Sequence, residues 1–263
     1  MVTNKIARIV IKGKINETTR KKAVAQFCDE NKDKRVNFLI TSGGFLSFNL
    51  SRIERANLSS GNLSLREVEI KAENAVVDFI NKIEVVKLRN VADYFIIGVD
   101  SDDKKKSAIV QMIAVYDLSE RKIIHWTGKS YPTGYEWHSL EKYDDLRSHF
   151  LEIENESVAI LGCHDLCIFH PRSQPIGERA KLKDDYLKAS KKAKPTVVLH
   201  LPHFTDHHLT WCSSWNRLRE ELPSVKHYAS GINYIGLNGD APRKSSNIQK
   251  VLAVTKFGDV LGN

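Results

Sequence analysis

The sequence predicts a single α/β domain with helices outside two packed sheets. Three observations point there. Short β-branched or apolar runs alternate along the chain with amphipathic stretches at helical spacing. Apolar residues make up 41% of the 263, enough for a sizeable core. No Pro/Gly-rich linker and no repeat of fixed period divides residues 1–263, so one domain is expected.

Ile6 to Lys12 (IARIVIK) is rich in β-branched residues and reads as a strand. Thr18 to Asn31 places Ala23, Val24 and Phe27 on one helical face. Val36 to Thr41 (VNFLIT) reads as a buried strand ending in the turn Ser42-Gly43-Gly44. Asn49 to Leu63, rich in Ser and Asn, reads as a loop. Ser64 with Glu67 forms a capping box that opens a helix to about Lys87. Tyr94–Val99, Ile109–Tyr116 and Lys122–Trp126 read as three strands, with Lys104 to Lys106 at a polar tip. Ser157 to Gly162 is a strand that delivers Cys163. After a helix-rich stretch come a strand at Thr196–Leu201, a helix at Trp211–Leu222, and strands at Gly231–Gly236 and Val251–Phe257.

Composition narrows the function classes. No apolar run approaches the ~20 residues needed to span a bilayer. The first residues, MVTNKIARIVIKGK, lack the apolar length and small-residue site of a signal peptide, so a cytoplasmic protein is expected. The net charge of +8 admits nucleic acid as a partner, but the basic clusters, Lys104–Lys106 and Lys188 to Lys194, carry no interleaved aromatics and read as solvated surface. The four cysteines, Cys28, Cys163, Cys167 and Cys212, fit core positions, metal ligands or nucleophiles better than a disulfide framework.

The segment Val158-Ala-Ile-Leu-Gly-Cys-His-Asp165 carries the most chemistry. A nucleophile must be held rigidly at the end of a buried strand, near backbone N–H groups that can bind an oxyanion. The same pattern also fits a plain core cysteine. Earlier in the chain, Lys122-Ile-Ile-His-Trp-Thr-Gly-Lys129 is followed by Glu136. Ile160-Leu-Gly-Cys-His-Asp-Leu-Cys-Ile-Phe-His-Pro-Arg172 follows, and then Thr196-Val-Val-Leu-His-Leu-Pro202 and Tyr228-Ala-Ser-Gly-Ile-Asn233.

In this order the segments resemble the nitrilase (carbon–nitrogen hydrolase) superfamily. The resemblance implies a nitrilase-like α-β-β-α sandwich. Its catalytic residues would be Cys163 as nucleophile, Lys129 at the oxyanion, and Glu136 holding substrate or Lys129. His164, Asp165, Gly43 and His203 are candidates for substrate contacts. The implied substrate is a small amide, opened through a thioester; no cofactor is called for, and a homodimer is expected.

One departure stands out. The pattern places a general-base Glu after the second strand, where this chain reads Ile40-Thr-Ser-Gly-Gly-Phe45. Three accounts stay open: a binding or regulatory module that no longer turns over, substitution by Glu136 or Asp165, or a different register over the first quarter. A further alternative is a metal-dependent hydrolase built on His200, His203, Asp206, His207, His208 and Cys212, or on Cys163, His164, Asp165, Cys167 and His170, since these side chains are zinc-ligand types.

Overall fold

The structure is a computed structural model that describes residues 6–13, 15–101, 108–134, 136–203, 208–234 and 247–261. It opens with β1 (Ile6–Arg8) and β2 (Ile11–Lys12), then α1 (Glu17–Glu30), β3 (Val36–Ile40) and β4 (Leu46–Phe48). Three helices follow: α2 (Arg52–Ser59), α3 (Leu65–Asn81) and α4 (Val85–Val91). Then come β5 (Ala92–Ser101), β6 (Gln111–Asp117), β7 (Lys122–Gly128), β8 (Phe150–Ile153) and β9 (Glu156–Gly162). The remainder alternates: α5 (Glu178–Ala193), β10 (Val197–Leu201), α6 (His208–Glu221), β11 (His227–Ser230), β12 (Asn233–Tyr234), α7 (Ile248–Val254), β13 (Lys256–Phe257) and β14 (Val260–Leu261).

Among the described residues, one sheet runs in the order β14-β1-β3-β5-β6-β7, with β4 beside the end of β5. The second runs β13-β11-β10-β9-β8. Alternation within the strands builds the layers. Ile6, Phe38, Ile40, Ile96, Ile113, Val115, Ile160, Val197 and Leu199 form a buried cluster shared by the two sheets. The opposite face of the first sheet carries Leu39, Phe95, Ile97 and Ala114, packed with Val24 and Phe27 of α1 and Val68, Ala72 and Val76 of α3. The opposite face of the second carries Ala159, Leu161 and Val198, packed with Tyr186 of α5, Trp211 and Trp215 of α6 and Val251 of α7. The result is the predicted α-β-β-α sandwich. No helix of the described residues is long and apolar enough to cross a membrane.

Several element boundaries differ from the sequence reading, each for a local reason. Asn49–Leu63 is not all loop. Ser51 and Glu54 form a reciprocal capping box that starts α2, a helix with only Leu58 buried and hence little apolar signature. The helix expected to reach Lys87 ends at Asn81, and α4 begins after a break. Val251–Phe257 is mostly helix: Asn247 accepts from the Lys250 N–H and caps α7, leaving only Lys256–Phe257 extended. The expected strand at Gly231–Gly236 is β11 ahead of it and the short β12. The Lys104–Lys106 tip lies outside the described residues.

The inter-sheet layer sets stability. Ile160→Ala is expected to lower unfolding free energy by about 2–5 kcal/mol, whereas Ile53→Ala, on the exposed face of α2, should change it by no more than about 0.5 kcal/mol. Chemical denaturation of both variants measures the contrast, and equal effects would contradict the layering.

Candidate active site

Within the first sheet β3, β5 and β7 point one way, because β3 pairs parallel with β5 and two antiparallel steps lead on to β7. Within the second sheet β9 and β10 are parallel. The residues at these carboxyl ends meet at one place, as crevices at strand ends do in α/β proteins. Gly43 and Gly44 form the turn after β3, Asp100 is next to last in β5, and Lys129 follows β7. Cys163 follows β9 directly, and His203 comes two residues after β10.

Two pairs of opposite charge surround the thiol. Lys129 is 2% exposed, and its Nζ donates to Glu136 Oε2 at 2.6 Å. Glu136 also accepts from the Thr133 N–H at 3.0 Å. Burial raises the Glu136 pKa, but Lys129 and the Thr133 groups outweigh it and hold the carboxylate at about 2. On the other side, His203 Nε2 lies 2.5 Å from Asp100 Oδ2. The same ring and the His203 backbone N–H also act on the Cys163 thiol. Burial pushes the thiol up, yet His203 and then Lys129 bring it below its usual value. Burial likewise lowers the His203 pKa, and Asp100 and Cys163 together raise it well above the ordinary histidine range.

The glycine pair is explained by space. A Cβ on Gly43 would lie 2.8 Å from the Leu201 carbonyl oxygen and 3.1 Å from His203 Cε1. A Cβ on Gly44, whose φ is +59°, would lie 3.1 Å from Asp100 Oδ2. The Gly43 N–H meanwhile donates to Pro202 O at 3.0 Å. The turn after β3 is thus seated against His203, and a glutamate there would displace it.

Solved structures share this architecture. An amidase from Nesterenkonia sp. superposes at a TM-score of 0.54 with 9% identity, over 89% of this chain and 78% of the other. A cysteine-to-alanine mutant of the Nesterenkonia AN1 amidase, described as belonging to the nitrilase superfamily, superposes at 0.56 with 8% identity, over 90% and 79%. The chain has the nitrilase fold. A glutamate-to-glutamine mutant of the AN1 amidase, with acrylamide added at its active-site cysteine, matches at 0.53 with 9% identity, over 87% and 78%. No family model and no curated protein matches by sequence.

The other candidate residues of this nitrilase-fold site take varied places. Asp165 faces no open surface. It is 0% exposed, and its carboxylate accepts from the backbone N–H groups of Gly162 (2.7 Å), Ser130 (3.1 Å) and Tyr131 (2.7 Å). It therefore ties the cysteine turn to the segment after Lys129 and is neither a substrate contact nor a base. His164 is half-buried, edge-on to Tyr131, and its pKa falls to about 4 through burial and the charge of Lys129. It lines a cavity of about 330 Å³ with Tyr131, Cys167, His170 and Arg179. A larger cavity of about 520 Å³, near α5 and α6, includes His170 alone of the candidate residues.

The zinc alternative loses His200 as a ligand. His200 is fully buried among Trp211 and Trp215, with one ring nitrogen on Ser230 Oγ (2.9 Å) and the other donating to the Cys163 carbonyl oxygen (3.1 Å). Burial drives its pKa to about 3, so it is a neutral prop for the cysteine turn. Asp206 and His207 lie outside the described residues, and no group of three or more His, Cys, Asp or Glu among the described residues could hold a metal.

Sequence reasoning missed Asp100 altogether. The signal was present: a polar residue at the end of the buried run Tyr94-Phe-Ile-Ile-Gly-Val-Asp100, as His203 ends the run from Val197.

Two variants test this geometry. Asp165→Ala leaves three buried N–H groups unpaired and is expected to cost about 3 kcal/mol or more. Gly43→Glu is expected to cost about 1–3 kcal/mol through overpacking, rather than to restore a missing function. Thermal unfolding checks both; a Gly43→Glu protein as stable as the native one would contradict the close packing.

Proposed function

We propose that this chain is a thiol-dependent carbon–nitrogen hydrolase of the amidase type, acting on small amides. Cys163 is the nucleophile. The observation that carries this reading is a half-buried thiol at the end of a buried strand, flanked by Lys129 and His203, whose charges favour its thiolate despite burial. A thiolate fixed beside two cations is what attack on a carbonyl requires.

In this reading Lys129 stabilises the oxygen that becomes negative as the amide carbonyl turns tetrahedral. The ion pair with Glu136 aims the ammonium, and burial strengthens its field. The collapse of that intermediate expels the amine and leaves a Cys163 thioester, which water opens. His164, the residue after Cys163, lines a cavity with Tyr131 and Arg179 and would contact the remainder of the substrate there. The kinship in fold supports the choice of small amides, since the AN1 amidase carries covalent acrylamide and acetamide adducts at its active-site cysteine.

Incubation with fluoroacetamide, followed by intact-mass and peptide analysis, is expected to give one adduct, at Cys163, absent in Cys163→Ala. Release of ammonia from a panel of small amides should vanish in Cys163→Ala and fall about 10²-fold or more in Lys129→Met. Labelling spread evenly over Cys28, Cys163, Cys167 and Cys212, or turnover that survives Cys163→Ala, would overturn the reading.

A further inference from the structure

A thioester mechanism needs a group that takes the thiol proton, delivers a proton to the leaving amine and then activates water. The carboxylates nearest in the resemblance are all committed elsewhere. Glu136 is bound to Lys129. Asp165 is enclosed by three backbone amides. Glu54 pairs with Lys71 and caps α2.

We propose that His203, oriented by Asp100, is the general acid–base of this site, in the role that the nitrilase pattern gives to a glutamate. The inference rests on Cys163 being the nucleophile. Its geometry has three parts. His203 Nε2 is fixed on Asp100 Oδ2 at 2.5 Å, so the other ring nitrogen, Nδ1, is left for the sulfur. The His203 side chain keeps 26% of its surface exposed, which leaves a way in for water. The two glycines of the turn after β3 lie against the ring with no side chain to crowd it: Gly43 opposite Cε1 and Nδ1, Gly44 opposite Cδ2 and Nε2. Nucleophile, base and orienting carboxylate thus form one chain of contacts, the arrangement by which Cys–His–acid sites on other folds work.

The steps balance. His203 Nδ1 takes the Cys163 proton, and the sulfur forms a bond to the amide carbon as the carbonyl electrons move to oxygen. When the carbonyl re-forms, the C–N bond breaks and the amine leaves with the proton from His203. In the second half, His203 takes a proton from water, and the hydroxide attacks the thioester. The C–S bond breaks, and the sulfur leaves as thiolate beside the protonated ring. The sum is amide plus water giving acid plus amine.

Acylation also changes the charges facing His203. The thiolate disappears, while Asp100 and the Lys129–Glu136 pair remain. The ring therefore gives up its proton more readily in the acyl-enzyme, when a base is wanted. The pH signs follow. Alkylation by a neutral reagent tracks the thiolate and should persist below the free-thiol value of about 8.5. Deacylation tracks the neutral ring and should rise with pH to a plateau.

The test uses two readouts on the full chain: the pH profile of Cys163 alkylation by iodoacetamide, and the decay of the acetyl-enzyme formed with p-nitrophenyl acetate, followed by intact mass. In His203→Ala the alkylation midpoint should move upward, and deacylation should slow by about 10²–10⁴-fold and lose its inflection. Added imidazole should restore part of the rate. His203→Gln, which keeps a hydrogen bond but cannot take up and release a proton, should be as slow as His203→Ala, and Asp100→Asn should fall between. Should His203→Ala fail to fold, the Gln and Asn variants decide. Normal Cys163 labelling with deacylation unchanged in the His203 variants would overturn the base and leave the nucleophile standing. A native Cys163 that no reagent acylates or alkylates would overturn both.

Discussion

One buried carboxylate holds the site together. Asp165 sits at the turn after Cys163 and accepts three backbone N–H groups, from Gly162 on its own turn and from Ser130 and Tyr131 after Lys129. A carboxylate saturated by backbone donors tolerates full burial, and charge-assisted bonds of this kind are among the stronger local contacts. The clamp joins the carboxyl end of β9 in one sheet to that of β7 in the other. Gly162 allows the approach, since a Cβ there would lie 2.8 Å from Lys129 Cα. A buried polar network backs it up: His149 lies between Ser130 Oγ and the Ile160 carbonyl oxygen, each at 2.7 Å.

On that frame the chemistry is electrostatic. Lys129 with Glu136, and His203 with Asp100, bracket the thiol. Buried charges are costly unless paired, and each cation here has a carboxylate within hydrogen-bond reach. In the proposed mechanism, moving the Cys163 proton to His203 leaves the site's net charge unchanged. The absent glutamate and the unusual histidine are then one feature. The space that a side chain at Gly43 would take is filled by the ring of His203, and the turn after β3 stays bare so that the ring can stand between Asp100 and the sulfur.

Much of this was legible in the sequence. The inter-sheet positions Phe38, Ile40, Ile96, Ile113, Val115 and Ile160 follow from alternation and β-branching, and Val198 is buried too, though on the helix-covered face of its sheet. The strand ends that present Lys129 and Cys163 are marked by apolar runs that stop abruptly. What sequence could not give is the partnership between distant ends. Asp100 and His203 are far apart in the chain, and nothing local ties an aspartate after β5 to a histidine after β10. Their meeting depends on how the two sheets stack. Asp165 shows the opposite case: its place two residues after Cys163 reads as chemical, and only its three backbone donors reveal a structural post. α2 and α7 were missed because short helices are set by capping side chains more than by apolar period.

The most direct test of the central claim is the protonation state of His203, read by ¹⁵N NMR of histidine-labelled protein across pH. If Asp100 and the Cys163 thiolate hold the ring as described, His203 is an imidazolium at neutral pH, and Cys163→Ser shifts its titration downward. A ring that titrates near the ordinary value of about 6.5 and is unmoved by Cys163→Ser would contradict the account.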